Sequence, residues 1–146
     1  MHPSVKSLKA VLDASILIQT VVREKYTDDT LNLVGVLEEI FVPSLVFYEI
    51  SNAMVILTRR ALIAREDAIR KYNSITSIPT LRIKEPTLTK AMDLAIDLGI
   101  TLYDSSYLTL ALETKAPFIT ADAELYEKGK EVTTVIHASG VKELYL

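Results

Sequence analysis

The chain has 146 residues, of which 49% are hydrophobic, so disorder is excluded and one globular domain over residues 1–146 is expected. Its 16 basic and 19 acidic residues give a net charge of −3, which excludes nucleic-acid binding through positive charge alone. The absence of cysteine excludes disulfides, thiolate metal sites and cysteine nucleophiles. No apolar stretch reaches the roughly 18 residues of a membrane span and the first residues lack a signal-peptide pattern, so a cytoplasmic protein is expected.

Strands and helices alternate almost throughout the sequence. In chain order the predicted elements are strand 9–13, helix 14–24, helix 28–39, strand 40–42, helix 45–62, helix 65–75, strand 79–84, helix 86–99, helix 103–115, strand 116–120, helix 121–129 and strand 132–136. Asp28 and Asp29 are expected to cap their helix, and Gly99 and Gly129 to end theirs. This order predicts an α/β fold in which right-handed crossovers build a mainly parallel sheet, covered by helices on both faces.

Two acidic residues lie at or just after the ends of predicted strands. Asp13 ends the segment KAVLD, and Asp122 comes two residues after the strand that ends at Thr120. Ligand sites of parallel sheets form outside the carboxyl ends of the strands, where these residues lie. Each acid is equally understandable as an ordinary helix cap, so neither identifies a site by itself.

Two further acids lie on predicted helices. Glu49 shares a helix face with apolar neighbours, and no basic residue at helical spacing is available to neutralise it before Arg59. Asp104 begins a helix, where it could serve as a cap or complement the helix dipole. If crossovers bring all four acids to one edge of the sheet, their repulsion requires a divalent cation, and oxygen ligands favour Mg²⁺ or Mn²⁺.

Four short segments carry a resemblance to a known family. They are VLDAS at 11–15, YEISN at 48–52, LYDSSYL at 102–108 and ITAD at 119–122. Together, in this order, they resemble the signatures of PIN-domain nucleases, and most closely those of the small VapC-like toxin ribonucleases. The resemblance covers nearly the whole chain.

This resemblance implies an α/β/α sandwich and a Mg²⁺- or Mn²⁺-dependent endoribonuclease. Its metal ligands and catalytic acids would be Asp13, Glu49, Asp104 and Asp122. The supporting residues would be Ser15, Asn52 and Thr120. The resemblance also implies an RNA substrate, a homodimer and, in the toxin branch, an antitoxin protein that covers the acidic site.

Two other protein classes with an acid at the end of the first strand require residues that this sequence lacks. A haloacid-dehalogenase-like phosphatase needs a second Asp where this chain has Ser15, and a receiver domain needs an acidic pair and a lysine that are absent. The remaining alternative is a catalytically silent RNA- or partner-binding module on the same fold. Residues 53–72 are rich in apolar positions and predict either a helical clip for dimerisation or antitoxin binding, or two helices that pack within the domain.

Overall fold

The computed structural model describes residues 8–145, which fold around one sheet of five parallel strands. The strands are β1 (Lys9–Leu12), β2 (Glu39–Val42), β3 (Leu81–Ile83), β4 (Phe118–Thr120) and β5 (Val135–His137). The α-helices are α1 (Ala14–Leu17), α2 (Thr27–Val36), α3 (Leu45–Arg59), α4 (Arg65–Thr76), α5 (Leu88–Leu98), α6 (Leu102–Thr114) and α7 (Ala123–Gly129). Two 3₁₀ helices, Ile18–Thr20 and Ala138–Leu144, complete the described chain. The predicted α/β/α sandwich with a parallel sheet is confirmed.

The strand order β3-β2-β1-β4-β5 decides where a site can form. The chain moves outward from β1 through β2 to β3, then returns to the other side of β1 for β4 and β5. Connections therefore leave in opposite directions at β1 and β4, which opens a crevice beyond the carboxyl ends of these two strands. Leu12 pairs with Ile119 across this boundary, so the next residues, Asp13 and Thr120, lie at the mouth of the crevice.

The central strands and α6 hold the core. Residues 10–12 of β1 and all of β4 are buried, as expected of strands covered on both faces. Most of α6 is also buried, from Ser105 to Ala111. A helix this deeply placed fixes the position of the polar groups that it carries.

Several boundaries differ from the predictions. The helix expected over 14–24 ends early, because Gln19 donates its amide to the Ser15 carbonyl and accepts the Tyr26 amide, which turns the chain. The helix expected over 28–39 begins at Thr27 and ends at Val36, and its N-cap, Tyr26, makes no side-chain cap bond. The prediction that Asp28 and Asp29 cap it is wrong; both lie in the first turn, where they complement the helix dipole.

Helix ends further along the chain also differ. The helix expected over 45–62 ends at Arg59, because Ala61 adopts a positive φ of 58°. Gly99 ends α5 in the left-handed conformation as predicted. Helix α7 ends at Gly129 as predicted, but Gly129 is not left-handed. A Cβ there would lie 2.7 Å from Leu108 Cδ2. Gly129 thus permits close packing on α6.

The segment 53–72 forms part of a helical hairpin. Helices α3 and α4 pack against each other within the domain, so the second of the two interpretations describes their contact. They still leave an open cleft of about 700 Å³, with Met54, Ile69 and Tyr72 among its lining residues. Within residues 8–145 no helix has the length and apolar character required to cross a membrane.

Candidate active site

Asp13 is the most buried acid of the crevice, with 6% of its surface exposed. It caps α1 by accepting the Ile16 amide at 3.3 Å. Ser15 Oγ donates to Asp13 Oδ1 at 2.5 Å and Thr120 Oγ1 donates to Oδ2 at 2.6 Å. Both carboxylate oxygens are therefore fixed by hydroxyl groups. The cap interpretation is correct for Asp13, but it describes only one of its contacts.

The two hydroxyls also connect Asp13 to the turn after β4. Ser15 Oγ accepts the Ala121 amide at 2.9 Å, and Thr120 Oγ1 accepts the Asp122 amide at 3.0 Å. Asp122 in turn caps α7 through the Leu125 amide at 3.0 Å. This chain of bonds sets the position of the Asp122 backbone relative to Asp13.

Glu49 is joined to α6 by a tyrosine. The hydroxyl of Tyr107 donates a short hydrogen bond to Glu49 Oε1, and the Tyr107 ring stacks on Phe118 at a centroid distance of 5.6 Å. Tyr107 is 1% exposed. Burial raises its pKa far above the usual range, and the Glu49 charge adds to the shift, so the phenol stays protonated and can only donate to the carboxylate.

Asp104 lies in the first turn of α6, whose N-cap is Thr101. Burial raises the pKa of Asp104, and the charges of Asp122 and Glu124 raise it further. Glu124, in the first turn of α7, is exposed. Its charge nevertheless acts on Asp104 and thereby adds a fifth acid to the electrostatics of this edge.

Asp13, Glu49, Asp104 and Asp122, hereafter the acid cluster, form a sequence of mutually repelling charges. Burial raises the pKa of Asp13 to about 6, with the Glu49 charge a smaller contribution. Burial raises the pKa of Glu49, opposed by the Tyr107 hydrogen bond and increased by the Asp104 charge. No lysine or arginine of the described chain contributes to the shifts of Asp13, Glu49 or Asp104. The charges therefore act in pairs, from Glu49 on Asp13, from Asp104 on Glu49 and from Asp122 on Asp104.

The donor set of the acid cluster fits a hard divalent cation, since every candidate ligand is a carboxylate oxygen. Among residues 8–145, however, no three acidic or histidine side chains form a ready-made ligand group. Asp13, Glu49 and Asp122 each direct an oxygen at a protein donor instead. The charge of one acid nevertheless raises the pKa of the next, and a shared cation would relieve that repulsion.

The supporting residues differ in how closely they belong to the site. Ser15 and Thr120 hold Asp13 directly, whereas Asn52 is exposed and no hydrogen bond joins it to Glu49 in the described structure. The sequence places Tyr107 on the same helix face as Asp104 but assigns it no role. Its position one helical turn after that acid was the available signal, because a buried tyrosine hydroxyl needs a partner.

His137 lies beside the turn that carries Asp122. Its Nε2 is 3.2 Å from the Ala121 carbonyl oxygen, and its Nδ1 accepts the Ser139 amide at 3.1 Å. His137 is half-buried and bonded on both ring nitrogens. His2 lies outside the described residues.

Comparison with known proteins decides the family. The family model described as PIN domain matches residues 10–131. The chain belongs to the PIN-domain family. This PIN domain is 27% identical to Ribonuclease VapC3 of Pyrobaculum aerophilum over 130 residues, which cover 87% of the chain and 99% of that protein.

Solved structures agree on the fold of this PIN domain. PAE2754 from Pyrobaculum aerophilum is 23% identical and superposes with a TM-score of 0.77, covering 95% of this chain and 98% of that one. VapBC2 from Rickettsia felis, solved bound to a DNA fragment from their promoter, is 15% identical with a TM-score of 0.65, covering 89% and 98%. The predicted membership of the PIN-domain family is confirmed.

Proposed function

We propose that this PIN domain is a Mg²⁺- or Mn²⁺-dependent endoribonuclease and the toxin of a toxin–antitoxin pair. The observation that carries the proposal is the acid cluster, in which Asp13, Glu49 and Asp104 are destabilised as anions by burial and by the charge of neighbouring acids. Such an arrangement is costly without a cation and is expected of a metal-dependent hydrolase. The ribonuclease name of the relative from Pyrobaculum aerophilum supports RNA as the substrate.

The residues of the chain have distinct roles in this proposal. Asp13, Glu49, Asp104 and Asp122 would hold the ion. Bound there, Mg²⁺ or Mn²⁺ supplies Lewis-acid stabilisation of charge on the phosphodiester and activation of a water nucleophile. Ser15 and Thr120 orient Asp13, while the protein around β1 and β4 excludes bulk water from it.

Proton transfer does not require a histidine here. His137, the one histidine within residues 8–145, has Nδ1 committed to the Ser139 amide and Nε2 to the Ala121 carbonyl. With a divalent ion bound, the water that it activates would supply the nucleophile near neutral pH without a histidine base. This agrees with a site built from acids alone.

Three arginines of the described chain, Arg23, Arg59 and Arg82, are candidates to hold flanking phosphates. Arg23 pairs with Asp28 at 3.1 Å, and Arg82 lies 4.0 Å from Glu39. Arg59 ends α3, ten residues beyond Glu49 and therefore about 15 Å further along the helix axis. We therefore assign none of these three arginines to the site.

The proposed partners follow from the family. The VapBC2 assembly of Rickettsia felis supports an antitoxin for this chain, and the cleft between α3 and α4 is a candidate contact surface for it. A homodimer, a cytoplasmic location and a single domain over residues 1–146 stay predictions. Light scattering over a concentration series tests the dimer, and a monomer at every concentration would exclude it.

Cleavage of short labelled RNAs tests the activity. Hydrolysis should require Mg²⁺ or Mn²⁺, stop on addition of EDTA, and fall by at least about 100-fold in Asp104→Asn, the scale of losing a group that stabilises developing charge. Asp93→Asn, which neutralises an exposed acid of α5, is the matched control and should cleave normally. Equal cleavage by all three proteins would indicate a contaminant. RNA binding without any cleavage would favour the catalytically silent module.

A further inference from the structure

Exposed aromatic side chains occur at two places in the described chain, and both directly precede a residue of the acid cluster. All seven tyrosines and three phenylalanines of the chain lie within the described residues. Only Tyr48 and Tyr103 are exposed, by 78% and 62%. Tyr48 precedes Glu49 and Tyr103 precedes Asp104, with consecutive Cα atoms about 3.8 Å apart.

The two tyrosines lie near the N-termini of two helices, α3 and α6. Tyr48 lies in the first turn of α3 and Tyr103 in the first turn of α6. The hydrogen bond from Tyr107 to Glu49 holds these two helices together at this end. Consecutive residues of a helix point about 100° apart, so each ring lies to one side of its acid and not over it.

Packing does not account for either ring. Tyr48 and Tyr103 make no side-chain hydrogen bond and no aromatic pair with another described residue, in contrast to Tyr107 and Tyr126. An exposed ring is a poor choice for stability, because it leaves apolar area in water. A ring in this position gains energy once a flat ligand covers it.

The negative charge of the site favours neutral side chains over basic ones as contacts for a nucleic acid. No basic side chain of the described chain offsets the charges of Asp13, Glu49 or Asp104, so an arginine or lysine added for phosphate binding would pair with the acids instead. A neutral aromatic ring avoids that competition. Base stacking on tyrosine is favourable for every base and is available only where bases are unpaired.

We propose that Tyr48 and Tyr103 are stacking platforms for unpaired RNA bases on either side of the phosphodiester held at the acid cluster. The proposal rests on the proposed nuclease function and adds to it the residues that select single-stranded or looped RNA. Each ring would stack on one base, so the two tyrosines would exclude a continuous duplex from the site.

Cleavage kinetics with Mg²⁺ test this proposal. Tyr48→Leu and Tyr103→Leu keep apolar bulk but lose the flat ring, and each should lower kcat/KM on an unstructured RNA by about 5- to 150-fold, chiefly through KM. Tyr48→Phe and Tyr103→Phe keep the ring and should stay within about twofold of the wild type. Leu62→Ala, at an apolar position that is 65% exposed and follows α3, is the control and should have no effect.

A series of RNAs with one abasic nucleotide near the cleavage position provides the second arm. Removing the stacked base should slow the wild type as much as the leucine substitution does, and should slow the leucine variant no further. Leucine variants that cleave like the wild type would overturn the stacking role, leave the nuclease intact and assign the exposed rings to a protein partner. A leucine variant that loses activity equally on intact and abasic RNA would also overturn it. A wild type that cleaves no RNA would overturn the nuclease and the stacking role together.

Discussion

The hydroxyl of Tyr107 donates a hydrogen bond to Glu49 across a sequence separation of 58 residues. This contact joins the acid of α3 to the helix that begins with Asp104. It also supplies a donor to a carboxylate whose pKa is raised by burial and by the Asp104 charge. Tyr107 therefore orients Glu49 and helps to keep it ionised.

Tyr107→Phe tests this orientation because it removes the hydroxyl and retains the ring that stacks on Phe118. We expect Mn²⁺ affinity, measured by titration calorimetry, to fall by about 10-fold, the scale of losing a partner of a metal ligand. Tyr145→Phe is the control, since Tyr145 donates to Asp29 at 3.0 Å outside the acid cluster. In a Glu49→Gln background the Tyr107 substitution should have little further effect, and equal losses in both backgrounds would refute the orienting role.

The stability of the metal-free protein should fall as pH rises. The pKa of an unperturbed aspartate is 3.8, and burial raises that of Asp13 to about 6 in the folded protein. Folding therefore favours the protonated form of Asp13. Its contribution is fully present below pH 3.8 and is lost as pH rises through 6, for a total of about 3 kcal/mol. Glu49 and Asp104 shift in the same direction. Urea unfolding in EDTA between pH 4.5 and 7.5 measures the slope, which Asp13→Asn should reduce.

Ion binding should release protons at pH 6. With the pKa of Asp13 at about 6, roughly half of the molecules carry a proton there that a bound cation displaces. Calorimetric titration with Mn²⁺ in two buffers of different ionisation enthalpy should give different apparent heats. The difference should shrink at pH 8, where Asp13 is already ionised. Identical heats in both buffers at pH 6 would show that Asp13 does not meet the ion.

Two buried threonines provide a matched pair for the Asp13 support. Thr120 donates to Asp13 and accepts the Asp122 amide, whereas the Thr109 hydroxyl has no hydrogen-bond partner among the described residues. Thr120→Val should cost about 1–3 kcal/mol of unfolding free energy, because it leaves buried polar groups unpaired. Thr109→Val should be neutral or stabilising. Chemical denaturation measures the free energy of unfolding of both variants. Similar losses in the two would indicate that valine fits this core poorly.

Substitutions at two helix ends should change the stability in opposite directions. Ala61 has a φ of 58° and Gly99 a φ of 65°, and no atom lies within 4 Å of a Cβ built on Gly99. Ala61→Gly should stabilise the protein by about 1 kcal/mol and Gly99→Ala should destabilise it by a similar amount, since L residues are strained in this region. Thermal unfolding of the two variants measures both effects. Shifts in the same direction would rule out backbone strain as the cause.

The sequence by itself determined the fold class and the acids to examine. Alternation of apolar strands with amphipathic helices is local information, and handedness then requires a parallel sheet with Asp13 and Asp122 at one edge. The unbalanced charge of Glu49 on an apolar helix face was likewise visible without coordinates. What local patterns could not set were the helix ends, as at residues 14–24, where Gln19 bonds to Ser15 and Tyr26 and turns the chain.

Only the tertiary structure decided how the acids are held. Thr120 reaches Asp13 across 107 residues and Tyr107 reaches Glu49 across 58, and neither pairing has a periodic signal in the sequence. The exposure of Tyr48 and Tyr103 and the effect of Glu124 on Asp104 also depend on which helices meet at this edge. The physical reason is that hydrogen bonds and charge interactions act over a few ångströms in space, whereas the patterns that predict helices and strands act along the chain.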